Sequence, residues 1–265
     1  QFNYLSVEFK NDGIYNVQLA RPPANAVHRE MYIELKNLFS NIDQLGDDVR
    51  VIILSGQGKH FCAGNDIEEF SSMTPENAVE RMWRVREAFF AISECSVPVI
   101  GAVHGAVLGT GLAIAGSCDF VVVAKGSKFG LPELTVGVMG GARHLARIAP
   151  QPLVRRMYFT GVPVDAEDFV AAGGAVLVCE REQLLEQAFR IASRVAMHSP
   201  TAVRVSKRVL DHVEWMDLRS GYEFEQGATV RMSGHPDSKE ALAAVKDKRV
   251  PKYQTLSREK HWFGL

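Results

Sequence analysis

Three short runs rich in β-branched residues constrain this chain most: residues 49–54, 97–103 and 120–124. Each ends in a glycine-bearing turn, at Gly56 and Gly58, at Gly105, and at Gly126. Nearly continuous apolar runs of this length mark strands covered on both faces. Between them the periodicity is helical. Over residues 29–45 the apolar positions are Met31, Ile33, Leu35, Leu38, Phe39, Ile42 and Leu45, and over 75–92 they are Met82, Val85, Phe89 and Ile92. Alternation of strand and helix predicts a mostly parallel α/β core. Residues 4–9 and 14–19 alternate apolar and polar positions around Asn11-Asp12-Gly13, which reads as an opening hairpin. Beyond Pro152 helical segments dominate. The expectation is therefore an α/β core over residues 1–200 and a helical C-terminal region over 201–265.

Composition excludes several classes. The 265 residues carry 30 basic and 31 acidic side chains, a net charge of −1, which disfavours a general nucleic-acid binder. The longest apolar stretch, 97–116, is broken by His104 and several glycines, so no membrane span is expected. The N-terminus lacks a charged region leading into an apolar stretch, and no signal peptide is read there. Four cysteines without C-x-x-C spacing suit a reducing, cytoplasmic setting and offer no zinc ribbon, so no metal site is expected.

Three segments follow the buried strands and carry polar chemistry. Lys59-His60-Phe61-Cys62-Ala63-Gly64-Asn65-Asp66-Ile67 has small residues that let a ligand approach the backbone. The plainer reading is a strand-to-helix turn with Asn65 or Asp66 as a cap. His104-Gly105-Ala106-Val107-Leu108-Gly109-Thr110-Gly111 opens a helix, whose free N–H groups attract negative charge. Its spacing matches neither a dinucleotide fingerprint nor a P-loop nor a nucleophile elbow. Phe129-Gly130-Leu131-Pro132-Glu133 sets a carboxylate beside Leu131, Leu134 and Val136, where desolvation would raise its pKa. Phe70, Met73, Met82, Trp83 and Met139 either line an acyl pocket or pack in the core, and core packing is the expectation.

In these segments the sequence resembles the crotonase superfamily, the enoyl-CoA hydratase/isomerase family, nearly end to end. The stretch 61–67 is similar to that family's first oxyanion-hole loop and Gly105 through Gly111 to its second. Residues 129–133 resemble the segment bearing a catalytic glutamate. The resemblance implies a ββα-spiral core with a helical trimerisation region, assembled as a homotrimer or dimer of trimers. It implies an acyl-CoA thioester as substrate, with no permanently bound cofactor. The backbone amides of Asn65 and Thr110 would hold the thioester oxygen, and Glu133 would move protons. Coenzyme A would lie along Ala63, Gly64, Asn65, Asp66 and Ile67. Lys248 either reaches a CoA phosphate or is a solvated helix-end lysine.

Two departures set the expected reaction. Hydratases of this family typically pair two glutamates, and the first falls here on Ala113. The loop 137–142 is about three residues shorter than the usual hydratase pattern. A single carboxylate can take a proton and return it elsewhere, so double-bond isomerisation stands ahead of hydration or dehydration. His144 offers a second acid–base group if the short loop folds inward; otherwise it starts a helix facing solvent. A low-turnover CoA-ester-binding or scaffold protein is the reading from another class.

Overall fold

The structure, a computed structural model, describes residues 2–254. Residues 255–265 of the expected C-terminal region lie outside the described residues. A hairpin of β1 (Leu5–Phe9) and β2 (Ile14–Leu19) leads into α1 (Arg29–Ser40) and β3 (Val51–Gly56). Next come α2 (Ile67–Ser71), α3 (Pro75–Ser93), β4 (Val99–Val103) and β5 (Ala106–Leu108). After these follow α4 (Thr110–Ser117), β6 (Phe120–Ala124), β7 (Lys128–Gly130), α5 (Ala142–Ile148) and α6 (Gln151–Thr160). The remaining elements are β8 (Val164–Asp165), α7 (Ala166–Ala171), β9 (Leu177–Cys179), α8 (Leu184–Ala196), α9 (Pro200–Val213), α10 (Leu218–Met232) and α11 (Pro236–Lys246).

Six strands form the main sheet in the order β1-β2-β3-β4-β6-β9, parallel from β2 onward. Its two faces explain the apolar runs. Ile53, Ile100, Ala102 and Val122 pack against Leu184, Ala188 and Ala192 of α8. The alternate residues Ile52, Leu54, Val99, Val103 and Val121 face the larger core with α1, α3 and α4. Every residue of β3, β4 and α4 is buried.

A second, three-stranded sheet, β5-β7-β8, was not visible as periodicity, because its strands have three, three and two residues. Helices dominate beyond Pro152 as expected, and two short strands accompany them: β8 in the small sheet and β9, which extends the main sheet beside β6. The helix expected over 29–45 ends at Ser40, and a 3-10 turn covers Ile42–Leu45.

Buried ion pairs fasten α9 to the core. Arg204 donates to Asp43 at 2.6 Å and to the Val49 carbonyl at 3.0 Å, and Lys207 reaches Asp119 at 3.0 Å. Such pairs fix position more than they add stability, since desolvation offsets much of their attraction.

The two turns after β3 and β4 are stitched together. Cys62 N–H donates to the Ala106 carbonyl, and Leu108 N–H donates to the Cys62 carbonyl, each at 3.1 Å. Gly111 permits this approach, since a Cβ there would lie 2.2 Å from the Cys62 carbonyl oxygen. Gly111→Ala must therefore push the turns apart. The expected cost is about 1–3 kcal/mol of stability, as for other overpacked sites. Chemical denaturation of the variant checks this, and an unchanged midpoint would contradict the packing described.

Candidate active site

The stitched turns present two free backbone donors. A parallel bridge joins Val27 to Asn65, using Val27 N–H to the Gly64 carbonyl and Asp66 N–H to the Val27 carbonyl, both at 2.9 Å. That pattern leaves the Asn65 N–H on the opposite side, with no acceptor among the described residues. Thr110 is the first residue of α4, and its N–H precedes the helix's own hydrogen bonds. The aligned peptide dipoles of α4 add positive potential at that end.

These donors lie on adjoining strands of chain. A Cβ at Gly109 would sit 4.0 Å from the Gly64 Cα. Gly109 has φ 52°, a conformation that glycine adopts without strain, and it turns the chain into α4.

Tyr32 of α1 locks the pair of turns. Its hydroxyl donates to Asn65 Oδ1 at 2.5 Å and lies 3.0 Å from Thr110 Oγ1. A phenol has one proton to give, so Thr110 donates to Tyr32, which donates to Asn65. Burial holds the Tyr32 phenol well above its ordinary pKa, so it stays protonated. Sequence periodicity placed Ile33 on the buried stripe of this helix, but Ile33 is exposed and Tyr32 is 3% exposed. The available signal was chemical: a phenol one residue from that stripe needs a partner once buried.

Glu133 begins the 3-10 turn Glu133–Val136, directly after Pro132. Its Oε1 would stand 3.3 Å from a Cβ at Gly109 and equally 3.3 Å from one at Gly141. The carboxylate is thus set beside the two donor turns. Its Oε2 is buried and has no hydrogen-bond partner among the described residues. Burial raises its pKa above the ordinary carboxylate value. The desolvating neighbours differ from those expected. Leu131 is buried, but Leu134 and Val136 are exposed, and the carboxylate lies next to the two glycines instead.

His144 lies in α5, which follows directly on Gly141, and its ring meets Phe89 edge-on at 5.0 Å. Burial, with Arg147 and Arg143 nearby, pushes its pKa down to about 4, so the imidazole is neutral near pH 7. It lines a cavity with Phe89 and Gly141, and a Cβ at that glycine would lie 3.3 Å from Glu133 Oε1. Ala113, one turn into α4, is 1% exposed and packs in the core.

The loop 63–67 is partly committed to structure. Ala63 N–H donates to the Ala24 carbonyl at 2.9 Å. The Asp66 carboxylate caps α2 by accepting from Glu69 N–H, and it pairs with Arg21 at 2.6 Å. Those contacts hold its pKa below the usual carboxylate range. Gly64 is buried at the turn itself, and Ile67 is 83% exposed. Lys248 sits just past α11 with φ 54° and exposed, and no described hydrogen bond or ion pair connects it to 63–67. Trp83 and Met139 are exposed rather than core residues. Met82 lines the cavity beside His144, and Phe70 and Met73 flank Asn65 in a small adjoining cleft. Among the described residues no group of three or more His, Cys, Asp or Glu side chains could hold a metal ion. No helix among them is long and apolar enough to cross a membrane.

Comparisons with known proteins agree with this architecture. The profile of the enoyl-CoA hydratase/isomerase family matches residues 9–256. A Mycobacterium tuberculosis protein named (7aS)-7a-methyl-1,5-dioxo-2,3,5,6,7,7a-hexahydro-1H-indene-carboxyl-CoA hydrolase is 34% identical over 83% of this chain and 90% of its own. The 2,3-dehydroadipyl-CoA hydratase of Escherichia coli is 30% identical over 89% of this chain and 93% of its own. The crystal structure of an enoyl-CoA hydratase from Bacillus anthracis superposes with a TM-score of 0.90 at 28% identity, covering 96% of this chain and all of that one. The chain belongs to the enoyl-CoA hydratase/isomerase family and has the crotonase fold.

Proposed function

We propose that this protein is an acyl-CoA enzyme that forms a thioester enolate with Glu133 as its one carboxylate acid–base group. The observation that carries this reading is the buried Glu133 Oε2, unpartnered beside two turns with free amides. An unpaired buried carboxylate oxygen is costly to keep, and a reacting proton is a reason for keeping it.

The Asn65 and Thr110 N–H groups hold the thioester oxygen while Glu133 takes the α-proton. The carbonyl π electrons move onto that oxygen, and the two donors stabilise the charge as it develops. Returning the proton at the γ-carbon completes double-bond isomerisation, which needs no second carboxylate. Hydration needs one group to activate water and another to deliver a proton, and Ala113 supplies neither. A second reading, hydration or hydrolysis, is favoured by the position of His144, whose neutral ring lines the cavity that Gly141 borders next to Glu133.

The CoA moiety runs along Ala63, Gly64, Asn65, Asp66 and Ile67, with the Asp66–Arg21 pair shaping that loop. Exposed apolar side chains on α9–α11, among them Leu210, Leu218, Tyr222, Val230 and Leu242, support assembly as a homotrimer or dimer of trimers. Lys248 of a neighbouring copy would then meet a CoA phosphate. The cytoplasmic setting goes with this proposal, since all four thiols are free and buried.

Steady-state assays on 2-enoyl-, 3-enoyl- and 3-hydroxyacyl-CoA thioesters test the reading. Glu133→Gln should lower kcat by roughly 10²–10⁴ while leaving CoA-ester affinity within a few-fold. Intact turnover in that variant would remove Glu133 as the base. Wild-type kcat should fall on the acid side through a pKa above the ordinary carboxylate range, because the base must be ionised.

Tyr32→Phe removes the link between the two donor turns. It should lower kcat by roughly ten- to a hundredfold, as small misplacements of reacting groups do, with KM little changed. Thr110→Ser keeps the hydroxyl and should keep wild-type kcat. An unaltered kcat in Tyr32→Phe would show that the turns hold their geometry unaided.

A further inference from the structure

A cavity of about 1150 Å³ opens beside the site, bordered by Gly141 and His144. That is larger than a short acyl chain needs, since whole drug-sized ligands occupy roughly 300–1,000 Å³. Part of its wall is apolar: Met82, Val85, Phe89 and Phe90 of α3. The rest carries an excess of cations. Arg147, Arg204 and Lys207 are used structurally, paired with Glu214, with Asp43, and with Asp119 and Asp211. Arg86, Arg143 and Arg208 form no ion pair among the described residues. Among the lining acids only Glu94 lacks a cation, so the unpaired groups are three guanidiniums against one carboxylate.

Arg143 is the best placed. It is on the first turn of α5, two residues after Gly141, where a Cβ would lie 3.3 Å from Glu133 Oε1. Its guanidinium lies over the Trp215 ring at 3.8 Å from the centroid. The ring contact holds the guanidinium, whose N–H groups make no described hydrogen bond, and a guanidinium edge matches a carboxylate in two-point hydrogen bonding. His144 beside it is neutral and contributes no competing charge.

We propose that the acyl group of the substrate carries a carboxylate at its far end, received by Arg143 with Arg86 and Arg208 adding attraction. This deepens the proposed function and rests on its placing the thioester beside Glu133. A neutral chain would fill the α3 wall but leave these guanidiniums unanswered. Arg143 is exposed, so the gain is that of a partly solvated charge-assisted contact, on the order of tenfold in affinity.

Calorimetric binding of adipoyl-CoA and hexanoyl-CoA, two saturated thioesters of equal chain length, tests this without requiring turnover. Wild type should bind adipoyl-CoA about tenfold more tightly, and the preference should shrink as salt rises. Arg143→Gln should erase the preference while leaving hexanoyl-CoA and free CoA affinities unchanged. Equal wild-type affinities would overturn the proposal. So would a variant that weakens both esters and free CoA alike, which would assign the cations to CoA phosphates. Loss of turnover with this preference intact would instead count against the enolate chemistry alone.

Discussion

One hydroxyl joins three parts of this molecule. Tyr32 reaches from α1 to the side chains of Asn65 and Thr110, the two residues whose amides face the candidate site. The turns bearing them belong to separate strand ends, and their separation decides whether two N–H groups can meet one oxygen. The backbone bridge at Cys62 and Val107 sets that separation, and the absence of a Cβ at Gly111 permits it. The phenol then fixes the side chains above it. Thr110 gains a role from this arrangement that a glycine could not fill, because its hydroxyl donates into the chain.

The electrostatics follow from the same packing. α4 is buried along its whole length, so its N-terminal amides act in a medium that screens charge poorly. Glu133 is pushed toward its protonated form by burial, and His144 toward its neutral form. Burial thus disfavours charge on two titratable groups of opposite kind, one of them, Glu133, set beside a helix start that favours an anion. This arrangement suits a reaction whose negative charge appears on the substrate and returns to neutrality. It suits less well a reaction that needs a pair of carboxylates, and on the family resemblance Ala113 falls where a second would be expected.

Much of the main sheet was legible because its strands are covered on both faces, which writes an unmistakable apolar run. β2 and β6 have the bounds that the pattern suggests, and α3 is longer by a single residue. The small sheet was not legible, since two or three residues cannot display a period. Glu133 was found through resemblance and through Pro132, yet of the apolar neighbours expected to desolvate it only Leu131 is buried, and it lies beside Gly109 and Gly141, which are distant or nondescript in sequence. Tyr32 was missed for a physical reason: hydrophobic periodicity ranks Ile33 above a phenol, although buried tyrosines pack well if the hydroxyl is satisfied. For the short loop before α5 two outcomes stood open, His144 folded inward or facing solvent. It carries His144 inward against Phe89 rather than out to solvent.

Whether Glu133 and the paired turns make an enolate can be measured apart from any downstream step. A saturated acyl-CoA has no double bond to move and no water to add, so exchange of its α-protons in D₂O reports deprotonation alone. Mass spectrometry should show deuterium entering at the α-carbon with wild-type protein and not with Glu133→Gln. Exchange at the uncatalysed rate with wild-type protein, when the ester is shown to be bound, would contradict the account.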